Sequence, residues 1–252
     1  MFFGNWYAMM VLNPFILTPP GGGGDPNFSN VKLLLGFEGE DSATTLTDES
    51  SAAHSFTAFG NAQIDTADFK YGTSSGLFDG SGDYWSTPSS SDFRLSAANS
   101  DKFTIEGWIH QGAGTTFWNS SIIGRGLSDG NLGWRVLIVD GSLRFSFSPS
   151  GTGWTSISTS SFLITSGAWS HFAVDKDAAG KIRLFIDGVM RASDTPADSS
   201  FFNTTAALQV GNPQFGGDPM KGWLDEIRVT VGENRYGSDT SFTPPTAAFP
   251  RS

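Results

Sequence analysis

Trp134-Arg135-Val136-Leu137-Ile138-Val139-Asp140-Gly141-Ser142-Leu143-Arg144-Phe145-Ser146-Phe147-Ser148 is the stretch from which the rest of this chain can be read. Two short runs of apolar, β-branched and aromatic residues flank Asp140-Gly141. Asp-Gly supplies two consecutive positions that tolerate positive φ, the requirement of the tight turn whose twist matches that of paired strands. The runs are too short for helices and are bounded by turn formers, so the stretch predicts a β-hairpin. The same grammar extends both ways. Trp169–Asp175 and Lys181–Ile186 form a second pair across Lys176-Asp177-Ala178-Ala179-Gly180, and Asp187-Gly188 turns the chain again. Phe103–His110 alternates, with Phe103, Ile105 and Ile109 on one side. Short apolar runs recur at Val31–Phe37, Leu77–Phe78, Tyr84–Trp85, Phe117–Gly124, Ala207–Gly211 and Gly222–Val231. No stretch carries a long helical period. The expected fold is all-β: a two-sheet antiparallel jelly-roll sandwich.

Composition agrees. The chain has 252 residues, with 22 Phe and 8 Trp to fill a core, 31 Gly for turns, and only 16% charged residues. Its formal net charge is −10 and no Lys/Arg cluster occurs, which excludes nucleic acid as a partner, since phosphate binding needs a basic footprint. Cysteine is absent, so thiol catalysis and cysteine metal sites are excluded, and the chain suits a reducing cytoplasm.

Three regions are expected. Residues 1–25 form an apolar arm and glycine hinge, 26–240 the sandwich, and 241–252 an extended tail marked by Pro244, Pro245 and Pro250. The arm carries Phe2, Phe3, Trp6, Tyr7, Phe15, Ile16 and Leu17 ahead of Gly21–Gly24. Exposed, such a segment is an aggregation liability. Two readings stand: it folds back on its own domain, or it docks into a partner or a neighbouring copy, a trimer being the expected assembly. The first 24 residues have no charge, and Asn5, Asn13, Pro14 and Pro19-Pro20 interrupt the apolar run, so neither a secretory signal nor a membrane span is expected.

Four segments in order resemble the laminin-G-like jelly roll of the concanavalin-A-like superfamily: Leu77–Tyr84, Phe103–Ile109, Trp169–Ala173 running into Leu184–Gly188, and Gly222–Val229. The opening segment, Asp25-Pro26 with Val31–Gly39 and Ala58–Thr66, is similar to laminin-G-like proteins of bacteriophage genomes. That resemblance implies a virion component, a head decoration, fibre or tail protein. The arm would hold it to capsid or tail proteins at the virion surface, and the sandwich would face host-surface glycans. It further implies a calcium ion near Asp225, joined by carboxylates drawn from Glu38, Asp48 and Asp79. On a regular strand Trp223, Asp225, Ile227 and Val229 share one face. If that face is inward, the Asp225 carboxylate needs a cation or backbone donors, and a structural turn cap is the alternative to calcium. The glycine-rich loop Asp79–Asp83 reads as a tight hairpin first and a cation loop second.

A shallow glycan site is read from Trp118, Trp134 and Trp154 with Arg125, Asp129 and Asn131: aromatic faces for the apolar side of a pyranose, polar groups for its hydroxyls. The alternative places Trp134 and Trp154 in the core. Trp108 and Trp169 lie in strand motifs and are expected to pack. Glucanases of this sandwich use Glu-x-Asp-x-x-Glu on one strand, which is not found here, and Glu106 stands alone on its strand. His54, His110 and His171 are scattered, and His171 reads as a core histidine. The expectation is a binding module and not an enzyme. A free glycan-binding adhesin and a glycan hydrolase are the two alternatives.

Overall fold

The computed structural model describes residues 24–112, 120–127, 130–160, 163–211 and 220–252. The arm residues Phe2, Phe3, Trp6, Tyr7, Phe15, Ile16 and Leu17, together with Trp118 and Asp129, lie outside the described residues. The first strands are β1 Val31–Leu35, β2 Thr57–Phe59, β3 Gln63–Asp65, β4 Ser75–Asp79, β5 Tyr84–Thr87, β6 Phe103–His110 and β7 Ser120–Gly126. They continue with β8 Leu132–Val139, β9 Ser142–Phe147, β10 Thr155–Ser158, β11 Trp169–Lys176, β12 Ile182–Ile186, β13 Val189–Asp194, β14 Leu208–Val210 and β15 Lys221–Val231.

These strands make the expected two antiparallel sheets. The first has eight strands, ordered β13-β12-β11-β6-β15-β4-β3 with β1 also on β15. The second has seven, ordered β10-β9-β8-β7-β14-β5-β2. The hairpin reading holds at both Asp-Gly turns: φ is 49° and 70° at Asp140-Gly141, and 50° and 74° at Asp187-Gly188. The sheets enclose one core in which Trp85, Trp134, Phe78, Phe103, Phe145, Phe147, Leu224 and Ile227 are buried. Each such side chain contributes roughly 1.5–3 kcal/mol on removal from water. The two core indoles also satisfy their N–H groups: Trp85 Nε1 donates to Thr44 O at 3.0 Å and Trp134 Nε1 to Phe93 O at 2.9 Å.

Two expectations need correction. Asp79–Asp83 is not a hairpin. β4 pairs with β15 and β3, whereas β5 pairs with β14 and β2, so this loop carries the chain from one sheet to the other. Asp83 closes the crossing, accepting from Asp79 N at 2.7 Å and Asn61 N at 2.5 Å. Nor do Trp223, Asp225, Ile227 and Val229 share a face. A bulge between Asp225 and Arg228, with Glu226 at φ 51°, shifts the alternation. Asp225 lies opposite Trp108 and Trp223 opposite His110 on the outer face, while Ile227 and Val229 join the core.

The outer face of the first sheet is covered by the chain itself around Glu106, His171 and Phe185. Residues 233–252 run across it. Phe242 N donates to Gly188 O at 2.8 Å, and Phe242 stacks on Tyr236 with ring centroids 3.5 Å apart. Tyr71 Oη donates to Pro245 O at 2.7 Å. Phe249 is buried against Val31 and Leu34. The stretch 241–252, expected as an extended tail, is thus extended and laid down on the sandwich. Beneath it lies a charged cluster. Arg228 donates to Glu106 Oε1 from Nη2 at 2.7 Å and from Nε at 3.0 Å, and to Asp25 Oδ2 at 3.2 Å. Arg235 donates to Asp25 Oδ2 at 2.7 Å, and Tyr236 Oη donates to Glu106 Oε2. His171 Nε2 stands 3.5 Å from the same carboxylate.

Candidate functional site

The second sheet has an outer face of different character. Ser86, Gln209, Gly124, Arg135, Ser146 and Ser156 are successive partners across β5, β14, β7, β8, β9 and β10. Directly opposed residues of antiparallel strands point the same way, so these six form one row on one face. Ser121, Leu137, Arg144 and Ser158 form a second row. The core residues Ile123, Val136, Phe145 and Ile157 alternate with them on the other face. The result is a band in which serine hydroxyls are interleaved with Gln209, Arg135, Leu137 and Arg144. Trp154 stands on it, its ring 4.3 Å from the Arg135 guanidinium. Ser146 Oγ and Ser156 Oγ bond each other at 2.8 Å, and Arg144 Nε donates to Ser158 Oγ at 2.9 Å. Two groups are not served. Gln209 and Ser121 are 3% and 0% exposed, yet Gln209 Oε1 and Ser121 Oγ have no hydrogen-bond partner. A buried polar atom without a partner costs about 1–3 kcal/mol.

The predicted glycan residues divide. Trp154 belongs to this band. Trp134 takes the core alternative, pointing to the opposite side of the same sheet. Arg125 is buried, donating to Ser89 Oγ at 2.7 Å, Ser90 O at 3.1 Å and Thr204 O at 2.6 Å. Burial without a carboxylate among those partners lowers its pKa to about 10. Asn131 holds the same loop, accepting from Thr204 Oγ1 at 2.8 Å and Thr205 N at 3.1 Å. Arg125 and Asn131 are brought together, but as loop anchors. Gln209, Ser121 and Arg135 escaped the sequence reading. Only strand order brings them to one face, Gln209 and Arg135 on either side of Gly124 and Ser121 in the row beyond.

The four carboxylates implied for calcium are not assembled. Asp48 is consumed by Leu34 N, Ser50 N and Ser50 Oγ at 3.0 Å and His54 N at 2.9 Å. Asp79 caps its own turn at Ser81 N, 2.7 Å away, and accepts from Asn61 Nδ2 at 3.2 Å. Glu38 accepts from Thr73 Oγ1 at 2.6 Å. Asp225 Oδ2 accepts from Lys70 N at 2.8 Å and Tyr71 N at 2.9 Å, while Oδ1 has no partner. Among the described residues no group of three or more His, Asp or Glu is placed to hold a metal ion. The Asp225 carboxylate is met by backbone donors from residues 70 and 71, as a turn cap would be.

Burial pushes Asp225 up to about 7, against the pull of the Tyr71 and Lys70 N–H groups and with the Glu226 charge adding to the rise. A carboxyl whose folded pKa lies above its unfolded value of about 3.9 withdraws stability as pH climbs through the interval between them. Asp225→Asn is therefore expected to stabilise the protein by about 2 kcal/mol at pH 8 and to change little at pH 4, measured by urea unfolding at both. A loss of stability at pH 8, reproduced in the unaltered protein by a chelator, would mean that a cation holds this carboxylate after all.

With this geometry in place, comparison supplies the family. Residues 79–231 match the family model described as concanavalin A-like lectin/glucanases superfamily. The chain belongs to that superfamily. No curated protein matches the sequence. Among solved structures, the binding domain of botulinum neurotoxin serotype D is 15% identical, with TM-score 0.62 over 83% of this chain and 50% of that one. The binding domain of serotype G is 14% identical, with TM-score 0.63 over 82% and 48%. The binding domain of Paraclostridial Mosquitocidal Protein 1 is 15% identical, with TM-score 0.60 over 82% and 50%. The chain spans about half the length of these structures, 48–50% in the three cases. At such identities the likeness is one of fold alone. Among the described residues no helix is long and apolar enough to cross a membrane.

Proposed function

We propose that this lectin-like sandwich is a non-catalytic saccharide-binding module that takes its ligand on the outer face of the second sheet. The observation that carries this reading is the half-buried Trp154 set against Arg135 on a face whose accessible part carries the hydroxyls of Ser156 and Ser158. A pyranose presents hydroxyl donors to such acceptors and an apolar face to an indole. The neighbours' titles name binding domains, which agrees with a binding role. Glu106, the lone strand glutamate, is committed to Arg228 and Tyr236, so it is not free to serve as a glycosidase carboxylate.

The test is a glycan array with the full chain and the Trp154→Ala variant. Binding that falls about tenfold in the variant, with unchanged thermal unfolding, supports the face, since losing one aromatic anchor typically removes about 1.4 kcal/mol or more. Equal binding by both proteins removes it, and release of reducing ends from a bound polysaccharide would establish the hydrolase alternative. The wider setting we propose is display on a bacteriophage particle, held by residues 1–25. It rests on the sequence likeness of the opening segment, and finding the chain in purified particles, or missing it there, decides it.

A further inference from the structure

On the opposite side of the sandwich, β11, β6 and β15 bring Trp169, His110 and Trp223 into one row: His110 is the direct partner of both tryptophans. The His110 ring lies 5.0 Å from Trp223 and 5.4 Å from Trp169. Both indoles are half-buried, and both are held by their edges. Trp169 Nε1 donates to Asp68 Oδ1 at 2.8 Å, and Trp223 Nε1 donates to Asp65 Oδ2 at 2.6 Å. The core indoles Trp85 and Trp134 are buried whole. The Trp169 and Trp223 rings are instead pinned by carboxylates beside solvent, and each carboxylate retains acceptor capacity beyond its one indole bond. Asp68 Oδ2 also stands 2.8 Å from His110 Nδ1. The other imidazole nitrogen is the decisive detail. His110 is 9% exposed, and neither its Nε2 nor, despite that approach, its Nδ1 makes a hydrogen bond.

We propose that this row is a second saccharide site, selective for neutral or amino-bearing pyranosides and closed to anionic ones. The rings give stacking surface, His110 Nε2 takes a hydroxyl, and Asp65 and Asp68 accept from hydroxyl or ammonium donors. Charge sets the selectivity. Asp65 and Asp68 border the row, and Asp41 stands behind it, bonded to Thr66 N at 3.3 Å. The neighbouring cation, Lys70, is drawn over the Trp108 ring at 4.0 Å. Among the described residues the carboxylates Asp41, Asp65 and Asp68 outnumber the one cation, Lys70, named beside this row, so an anionic sugar would be disfavoured, whereas an ammonium would be attracted both by them and by the indole faces.

The experiment is calorimetric titration of the full chain with three probes: a glucosamine hexamer, its N-acetylated neutral counterpart and a galacturonate hexamer. The unaltered protein is expected to bind the first two and not the third. Trp223→Ala is expected to weaken that binding at least tenfold. His110→Phe, which keeps the ring and removes Nε2, should weaken it as well and guards against a folding defect in the first variant. Trp154→Ala should leave it unchanged, which separates this site from the one on the second sheet. Binding of none of the probes, preference for the uronate, or unchanged affinity in both Trp223→Ala and His110→Phe would each overturn the proposal. Loss in Trp154→Ala alone would assign the binding to the other face.

Discussion

Arg228→Met is expected to destabilise the protein by about 3–5 kcal/mol at pH 7, because it leaves carboxylates buried without their cation. Glu106 is wholly buried, and Arg228 meets its Oε1 with two N–H groups at 2.7 and 3.0 Å. Burial alone would raise the Glu106 pKa. The Arg228 charge, with His171 and the Tyr236 hydroxyl, overcomes burial and holds it at about 2. The sign follows. A carboxyl whose folded pKa is depressed stabilises the native state above its unfolded value of about 4.3 and withdraws that contribution as pH falls toward the folded one. The gap between the unaltered protein and Arg228→Met should therefore be widest at high pH and narrow as pH falls, first as the stranded Glu106, its pKa raised by burial, takes up a proton in the variant above about pH 4.3, and until about pH 2, where Glu106 of the unaltered protein is protonated too. Urea unfolding across that range measures both. A loss below about 1 kcal/mol at pH 7 would show that Arg235 alone, 2.7 Å from Asp25, suffices for the cluster.

Much of the fold could be read locally because its turns are local chemistry. Asp140-Gly141 and Asp187-Gly188 announce their hairpins in two residues, and the alternation of Phe103, Ile105 and Ile109 declares which side of β6 is core. The misreadings share one physical cause: they depended on pairings between residues distant in sequence. Gly80 and Gly82 serve a crossing between sheets as readily as a hairpin, and only the partners of β4 and β5 distinguish the two. A strand read by simple alternation placed Asp225 with Ile227, because a bulge has no sequence mark when its positive-φ residue is Glu226 and not glycine. The same holds for the sites. Residues 86, 124, 135 and 209 become neighbours through strand order, and so do His110, Trp169 and Trp223. Trp154, a tryptophan among glycines, serines and threonines, stands out by composition alone, and the structure sets its ring against Arg135 on the outer face of the second sheet. Trp134 was not separable from it on that ground, since its setting differs only in which face of β8 it occupies.

The covering segment 233–252 yields the other large effect. Phe249→Ala is expected to cost about 3–5 kcal/mol, the range for removing a buried aromatic ring. The ring packs on Val31 and Leu34, and the Arg228 guanidinium lies 3.8 Å from its centre. Its own N–H donates to Glu226 Oε2 at 2.6 Å, and Arg251 donates to the same carboxylate at 2.6 and 2.8 Å. Loss of the ring therefore loosens the point at which the segment is tied to β1 and β15. If the segment holds as one unit, the effect should travel to its other end. Hydrogen exchange at Phe242 N, bonded to Gly188 O, and at Met190 N, bonded to Thr240 O, should accelerate more than exchange within β6 and β11. Uniform acceleration would mean that the segment unfolds only with the whole sandwich. A stability loss under about 1 kcal/mol with unchanged exchange would show that Phe249 is not what holds the cover, and would shift that role to the Tyr236–Phe242 stack above Glu106.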